Sequence, residues 1–129
     1  MKGYLLDTGV ALLAVDTPER LSGPVRAALD QGPGFLSVIS YWEVIIKAMK
    51  NKLDVGDPRL WWQETLDSLA LLPLPFRAEH ISAIYELPAL HQDPFDRALI
   101  AQGRIEQLVL LTTDDLICQY TSEQIRVVR

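Results

Sequence analysis

The chain has 129 residues, 49% of them hydrophobic and 22% charged, with a formal net charge of −5. This size and apolar share suit one domain with its own core, placed here over residues 1–129, and no apolar run reaches the roughly 20 residues that span a bilayer. The pI of about 4.9 argues against a simple phosphate-backbone binder, unless some of the acids hold cations and so reverse the local field. The stretch before the first acid, Met1 to Leu6, is too short for a signal peptide. The single cysteine, Cys118, has no disulfide partner and no neighbours at metal-ligand spacing. It fits a reducing cytoplasm and a small side chain packed in the last helix.

Gly3 to Leu6 is a short apolar run ending at an acid, the pattern of a buried parallel strand. Thr8 to Val15 reads as a short helix. Asp16-Thr17-Pro18-Glu19 opens another with proline in its first turn, running to about Asp30, where Gln31-Gly32-Pro33-Gly34 stops it. Phe35 and Leu36 read as a second strand, and Ser37 caps a helix to about Asn51. In it Ile39, Trp42, Ile46 and Met49 recur at three- and four-residue spacing, a stripe expected to face the core. Asp57-Pro58 opens a helix from about Arg59 to Ala70. Its neighbours Trp61 and Trp62 point about 100° apart, so one is a candidate for a subunit interface, with ordinary packing as the alternative. Leu71-Leu72-Pro73-Leu74 suits an edge strand, where proline's missing donor is tolerated. A helix from about Ala78 to Glu86 follows.

In the last third, Asp93-Pro94 starts a helix expected to end at Gly103, with Phe95, Leu99 and Gln102 along one side. Val109 to Leu111 reads as a strand, Thr113 to Gln119 as a short helix and Ile125 to Val128 as a final strand. No internal repeat or low-complexity linker divides the chain. Strands alternating with helices predict a three-layer α/β/α fold with a central parallel sheet of about four to five strands. Such sheets bind ligands beyond the carboxyl ends of the strands, where the strand order reverses. Asp7 and Asp114 each lie just past a strand end and would face that crevice.

Four segments set a carboxylate beside apolar sequence: Leu5-Leu6-Asp7-Thr8, Ser40-Tyr41-Trp42-Glu43, Asp93-Pro94-Phe95-Asp96-Arg97 and Leu110-Leu111-Thr112-Thr113-Asp114. Burying a carboxylate is unfavourable without compensation, and a divalent cation shared among them is the simplest compensator. Several of these acids also have a plainer role. Asp7, Asp93 and Asp114 or Asp115 suit helix N-caps. Glu43 has only Lys47 as a local partner, and an i,i+4 pair contributes roughly 0.2–0.5 kcal/mol, too little to hold a glutamate on a buried face. His91, far from His80 in sequence and without a third partner, reads as an ordinary surface or loop residue.

Together these segments resemble the four motifs of PIN-domain ribonucleases, in particular the VapC-type toxins of toxin–antitoxin operons. Leu5-Leu6-Asp7-Thr8 resembles the first, Ser37 to Val44 the second, His91 to Gln102 the third and Leu110 to Asp114 the fourth. Order and spacing match from Leu5 to Tyr120. The chain departs from many members at Gly9, where Asn or Val commonly follows Asp-Thr; the glycine loosens the first helical turn without touching the acid.

The resemblance implies a PIN-like fold and a metal-dependent endoribonuclease with Asp7, Glu43, Asp96 and Asp114 as catalytic acids. The same four, with Asp93 as a supporting ligand or cap, would hold Mg²⁺ or Mn²⁺, since all-oxygen donors favour those ions over zinc. Thr8 and Thr112 or Thr113 would orient the carboxylates, while Lys47, Lys50 and Arg97 would hold the RNA backbone. It further implies a homodimer neutralised by a cognate antitoxin that lays an apolar segment over the groove. Rival readings fit less well. A receiver domain wants an acidic pair at the first strand and a late lysine. A haloacid-dehalogenase-type phosphatase wants Asp-x-Asp where this chain has Asp7-Thr8-Gly9. A housekeeping PIN nuclease for RNA processing remains an alternative, as does a non-catalytic PIN-fold binding module, although no motif acid is missing.

Overall fold

The computed structural model describes residues 2–122 and 124–129. Short apolar runs form five strands: β1 (Tyr4–Leu6), β2 (Gly34–Ser37), β3 (Leu71–Leu74), β4 (Val109–Leu111) and β5 (Arg126–Val128), of which β1, β2 and β4 end at Asp7, Ser37 and Thr112. They pair in parallel in the order β3-β2-β1-β4-β5. Parallel neighbours need long crossovers, which the helices supply. These are α1 (Thr8–Asp16), α2 (Gly23–Gln31), α3 (Val38–Met49), α4 (Pro58–Ser68), α5 (Ala78–Tyr85), α6 (Pro94–Glu106) and α7 (Asp115–Cys118).

Successive strand residues point to opposite faces, so the sheet has a core on each side. Leu6 and Leu111 enter one, with Val10, Val25, Trp61 and Leu66 from α1, α2 and α4. Leu5 and Leu110 enter the other, with Ala83, Leu99 and Ile117 from α5, α6 and α7. Helix α3 gives Val44 to the first core and Ile39 to the second, so it lies at the boundary between the layers. The chain moves from β1 to β2 and β3 on one side, then returns to place β4 and β5 on the other. The order therefore reverses between β1 and β4, the two strands that run directly into Asp7 and Thr112.

Several elements depart from their sequence pattern. The helix expected from Asp16 to Asp30 is broken: a 3-10 turn covers Pro18–Arg20, and α2 begins only at Gly23. Pro24 explains the break, because its ring would clash with the Arg20 carbonyl in a continuous helix; Ser22 instead caps α2 by accepting from Val25 N at 3.3 Å. Helix α6 runs through Gly103 and ends where Gln107 turns left-handed at φ 58°. Glycine weakens a helix without stopping it, and Arg104, Ile105 and Glu106 carry it on. The α3 stripe meets the core only at Ile39: Trp42 is 56% and Met49 75% exposed, and Ile39, Ser40, Glu43 and Val44 are the buried residues of the helix. Trp61 is buried, and the partly buried Trp62 stacks on Tyr41 with centroids 4.8 Å apart. β3 is the expected edge strand. Among the described residues no helix is long and apolar enough to cross a membrane.

The start of β1 leaves no room for a side chain. Gly3 has φ +145°, and a Cβ there would lie 2.6 Å from the Pro33 carbonyl oxygen. Gly3→Ala is expected to destabilise the fold by about 2 kcal/mol or more, from strain and the clash together. Urea unfolding of the variant and the parent chain checks this.

Candidate active site

Each acid is set by a helix start or by a helix crossing the strand ends. Asp7 leaves β1 and N-caps α1, with Oδ1 accepting from Val10 N at 2.7 Å and Oδ2 accepting from the Thr112 hydroxyl. Thr112, buried at the end of β4, also accepts from Asp114 N at 2.9 Å. One hydroxyl thus ties the acid after β1 to the acid after β4. Asp114 N-caps α7, accepting from Leu116 N at 2.8 Å, and Asp93 N-caps α6, accepting from Phe95 N at 2.9 Å and Asp96 N at 3.3 Å. The plainer cap roles are therefore real, and they fix the carboxylates that line the crevice.

Glu43 comes in from α3 and is only 4% exposed. Its Oε1 accepts from Thr8 Oγ1 at 2.7 Å, and its Oε2 from Lys47 Nζ at 2.6 Å. Thr8 Oγ1 also lies 2.9 Å from Ser40 Oγ. The hydrogen bond that Lys47 donates to Glu43 is the main reason its ammonium is held above its usual range. Asp96 sits in the first turn of α6, with Oδ2 2.7 Å from His91 Nε2. The same nitrogen lies 3.5 Å from Asp114 Oδ2. Asp115 turns away, paired with Arg129 at 2.5 Å. Thr113 is exposed, and its hydroxyl flanks Gly9, where an added Cβ would meet it at an ordinary 3.5 Å.

Two residues play parts that their sequence context did not suggest. His91, expected to be an ordinary loop residue, stands between Asp96 and Asp114. Arg97, expected to hold RNA, is turned the other way. Its Nη1 donates to the carbonyls of Pro88 and His91 at 3.0 and 3.3 Å, and its Nη2 to those of Ile84 and Leu87 at 3.1 and 3.3 Å. A guanidinium with its donors so engaged braces the 84–91 segment and has little left for a phosphate. Lys47 stands at the acids, whereas Lys50 lines an apolar groove with Ile46, Phe76, Ile84 and Phe95. The His-Gln-Asp-Pro-Phe-Asp run was the only sequence signal for His91.

The electrostatics are those of an undercompensated site. Burial pushes the Asp7 carboxyl up to about 6, and the charges of Glu43 and Asp114 add to this against the opposing hydrogen bonds from Thr112 and Val10. Asp96 is also pushed up to about 6, by burial first and then by the charges of Asp93 and Glu43. The donor set is mainly carboxylate oxygen, hard and anionic, which fits an oxygen-seeking divalent cation. His91, Asp96 and Asp114 each offer one ligand atom, all within 4.8 Å of one another.

The raised Asp7 value has a measurable consequence. Between its reference of 3.8 and about 6, the folded chain keeps a proton that the unfolded chain has released. Raising pH through that window therefore removes stability. In chelator, Asp7→Asn is expected to match the parent chain below pH 3.8 and to exceed it by on the order of 2–3 kcal/mol near neutral pH. Denaturant unfolding across pH, read as the difference between the two chains, checks both size and sign.

Comparison with known proteins agrees with this layout. The PIN domain family model matches residues 4–122, a span holding β1 to β4 and all four motif acids. DNA-bound VapBC from Salmonella typhimurium has a similar fold, with a TM-score of 0.71 at 16% identity, covering 99% of this chain and 98% of that one. VapBC2 from Rickettsia felis, bound to a promoter DNA fragment, gives 0.68 at 15% identity, covering 97% and 96%. VapBC-5 from Mycobacterium tuberculosis gives 0.64 at 17% identity, covering 100% and 99%. No curated protein sequence matches the chain at a significant level. With the family pattern running through nearly every element of the sheet, the chain belongs to the PIN domain family.

Proposed function

We propose that this chain is a single PIN domain acting as a divalent-metal-dependent endoribonuclease, the toxin of a type II toxin–antitoxin module in the cytoplasm. The observation that carries the reading is the placement of Asp7, Glu43, Asp96 and Asp114 around the point where the strand order reverses. Asp7, Asp96 and Asp114 would hold Mg²⁺ or Mn²⁺, with Glu43 beside them and Asp93 supporting Asp96 through its amide. Such a cation, when bound, makes a water more acidic and neutralises charge growing on the phosphoryl oxygens.

The chain's own residues prepare that chemistry. Hydrolysis bonds a water oxygen to phosphorus and breaks the bond to the bridging oxygen, which leaves with a proton. Thr112 fixes Asp7, and Thr8 and Lys47 fix Glu43, so the carboxylates need little rearrangement when substrate arrives. Lys47 also sets a positive charge where the RNA backbone would pass, and Lys50, one turn on, extends it. Toxin identity is supported by the likeness to VapBC complexes. It is supported too by the groove of about 470 Å³ beside the acids, lined by Ile39, Trp42, Ile46, Phe76, Ile81 and Phe95. An antitoxin's apolar segment would cover these side chains and bring a basic group to the carboxylates. Homodimer formation belongs to the same proposal.

The test is cleavage of mixed tRNA and rRNA by the purified chain in Mg²⁺ or Mn²⁺. Asp7→Asn and Asp96→Asn are expected to reduce the rate by on the order of 100-fold or more, and EDTA to abolish it. Expression without an antitoxin should arrest growth, and Asp96→Asn should relieve the arrest. Folded chain that leaves every RNA intact and lets cells grow normally would overturn the nuclease reading in favour of a binding module.

A further inference from the structure

The position of His91 is unexplained by a site made of carboxylates alone. Its ring is 12% exposed and lies among acids from α6 and the start of α7. Cis ligands of a small octahedral ion, each at about 2.1 Å, are separated by about 3 Å. The distances from Nε2 to Asp96 Oδ2 and Asp114 Oδ2, 2.7 and 3.5 Å, bracket that value. A nitrogen lone pair can therefore reach a point shared with both carboxylates without a large change of backbone.

The segment that presents the ring is braced. His91 N donates to Tyr120 Oη at 2.8 Å, and Leu90 N to the same oxygen at 3.1 Å. Tyr120 in turn donates to Pro88 O at 2.9 Å, and Arg97 holds the carbonyls of Pro88 and His91. Tyr120 is 3% exposed, so this bracing is part of the core. A solvent-facing loop histidine has no need of such a frame; a ligand that must keep its angle does.

We propose that His91 is a nitrogen ligand that joins Asp96 and Asp114 at the cation site, and that it makes the site select Mn²⁺ over Mg²⁺. The proposal rests on the metal-dependent reading above and goes beyond it in naming a non-carboxylate donor. Imidazole binds the later divalent ions well and adds little for Mg²⁺, which prefers oxygen and retains its waters. One nitrogen among oxygens therefore shifts preference without closing the site to either ion.

The experiment is titration of Mn²⁺ and Mg²⁺ into the purified chain, His91→Gln, His91→Ala and Asp96→Asn by calorimetry. Pulsed electron paramagnetic resonance of the Mn²⁺ forms accompanies it, since that signal reports directly bound nitrogen. Thermal unfolding in chelator identifies any variant that fails to fold, and Gln keeps much of the side-chain volume. The expected result is a nitrogen signal in the parent chain that both His91 variants lose. Mn²⁺ affinity should fall at least about tenfold in these variants and Mg²⁺ affinity much less. Tight Mn²⁺ binding lost in Asp96→Asn, with no nitrogen signal and no effect of His91→Gln, would overturn the proposal and leave the carboxylate site standing. Absence of binding by either ion to the folded parent chain would overturn both.

Discussion

Two like charges about 4 Å apart repel by roughly 4 kcal/mol at an effective dielectric near 20, and burial adds a desolvation penalty to each. The PIN domain described here gathers its motif acids under those terms at the carboxyl ends of β1 and β4. Both Asp7 and Asp96 are pushed up to about 6 as a result. The strand leucines on either face of the sheet, each contributing roughly 1.5–3 kcal/mol on burial, offset the penalty.

Hydroxyls and caps convert that unfavourable gathering into a fixed geometry. Thr112 links the β1 acid to the β4 turn, and Thr8 links α1 to Glu43 on α3. Helix α3 can serve both cores only by running along the layer boundary, which brings Glu43 to the strand ends and leaves its stripe of Trp42, Ile46 and Met49 facing outward. The acids and the neighbouring apolar surface therefore share one cause. Moving α3 inward to bury the stripe would carry Glu43 away from Thr8.

Much of this was legible in the sequence because it is local. A short apolar run followed by Asp-Thr, or by Thr-Thr-Asp, states a strand end and a cap within a few residues, and these two signals with the caps at Ser37 and Asp93 between them state the fold. What was not legible depends on long-range contacts. His91 is placed by Tyr120 and Arg97, and nothing near His91 in sequence announces that Tyr120 will cap the loop. Arg97 beside Asp96 reads as a free cation until the 84–91 carbonyls surround it. The α3 periodicity was visible, but an apolar stripe at helical spacing describes a surface that packs and not what it packs against. Pro24 and Gly103 show the limits of single-residue punctuation: the proline broke a helix that the pattern carried through, and the glycine failed to stop one.

The central claim is that these acids form a cation site, and the most direct test is anomalous scattering from crystals of the chain soaked in Mn²⁺. The account predicts a peak about 2.1 Å from carboxylate oxygens of Asp7, Asp96 or Asp114, at the crevice between β1 and β4. A peak elsewhere on the surface, or none at these carboxylates at saturating Mn²⁺, would contradict it.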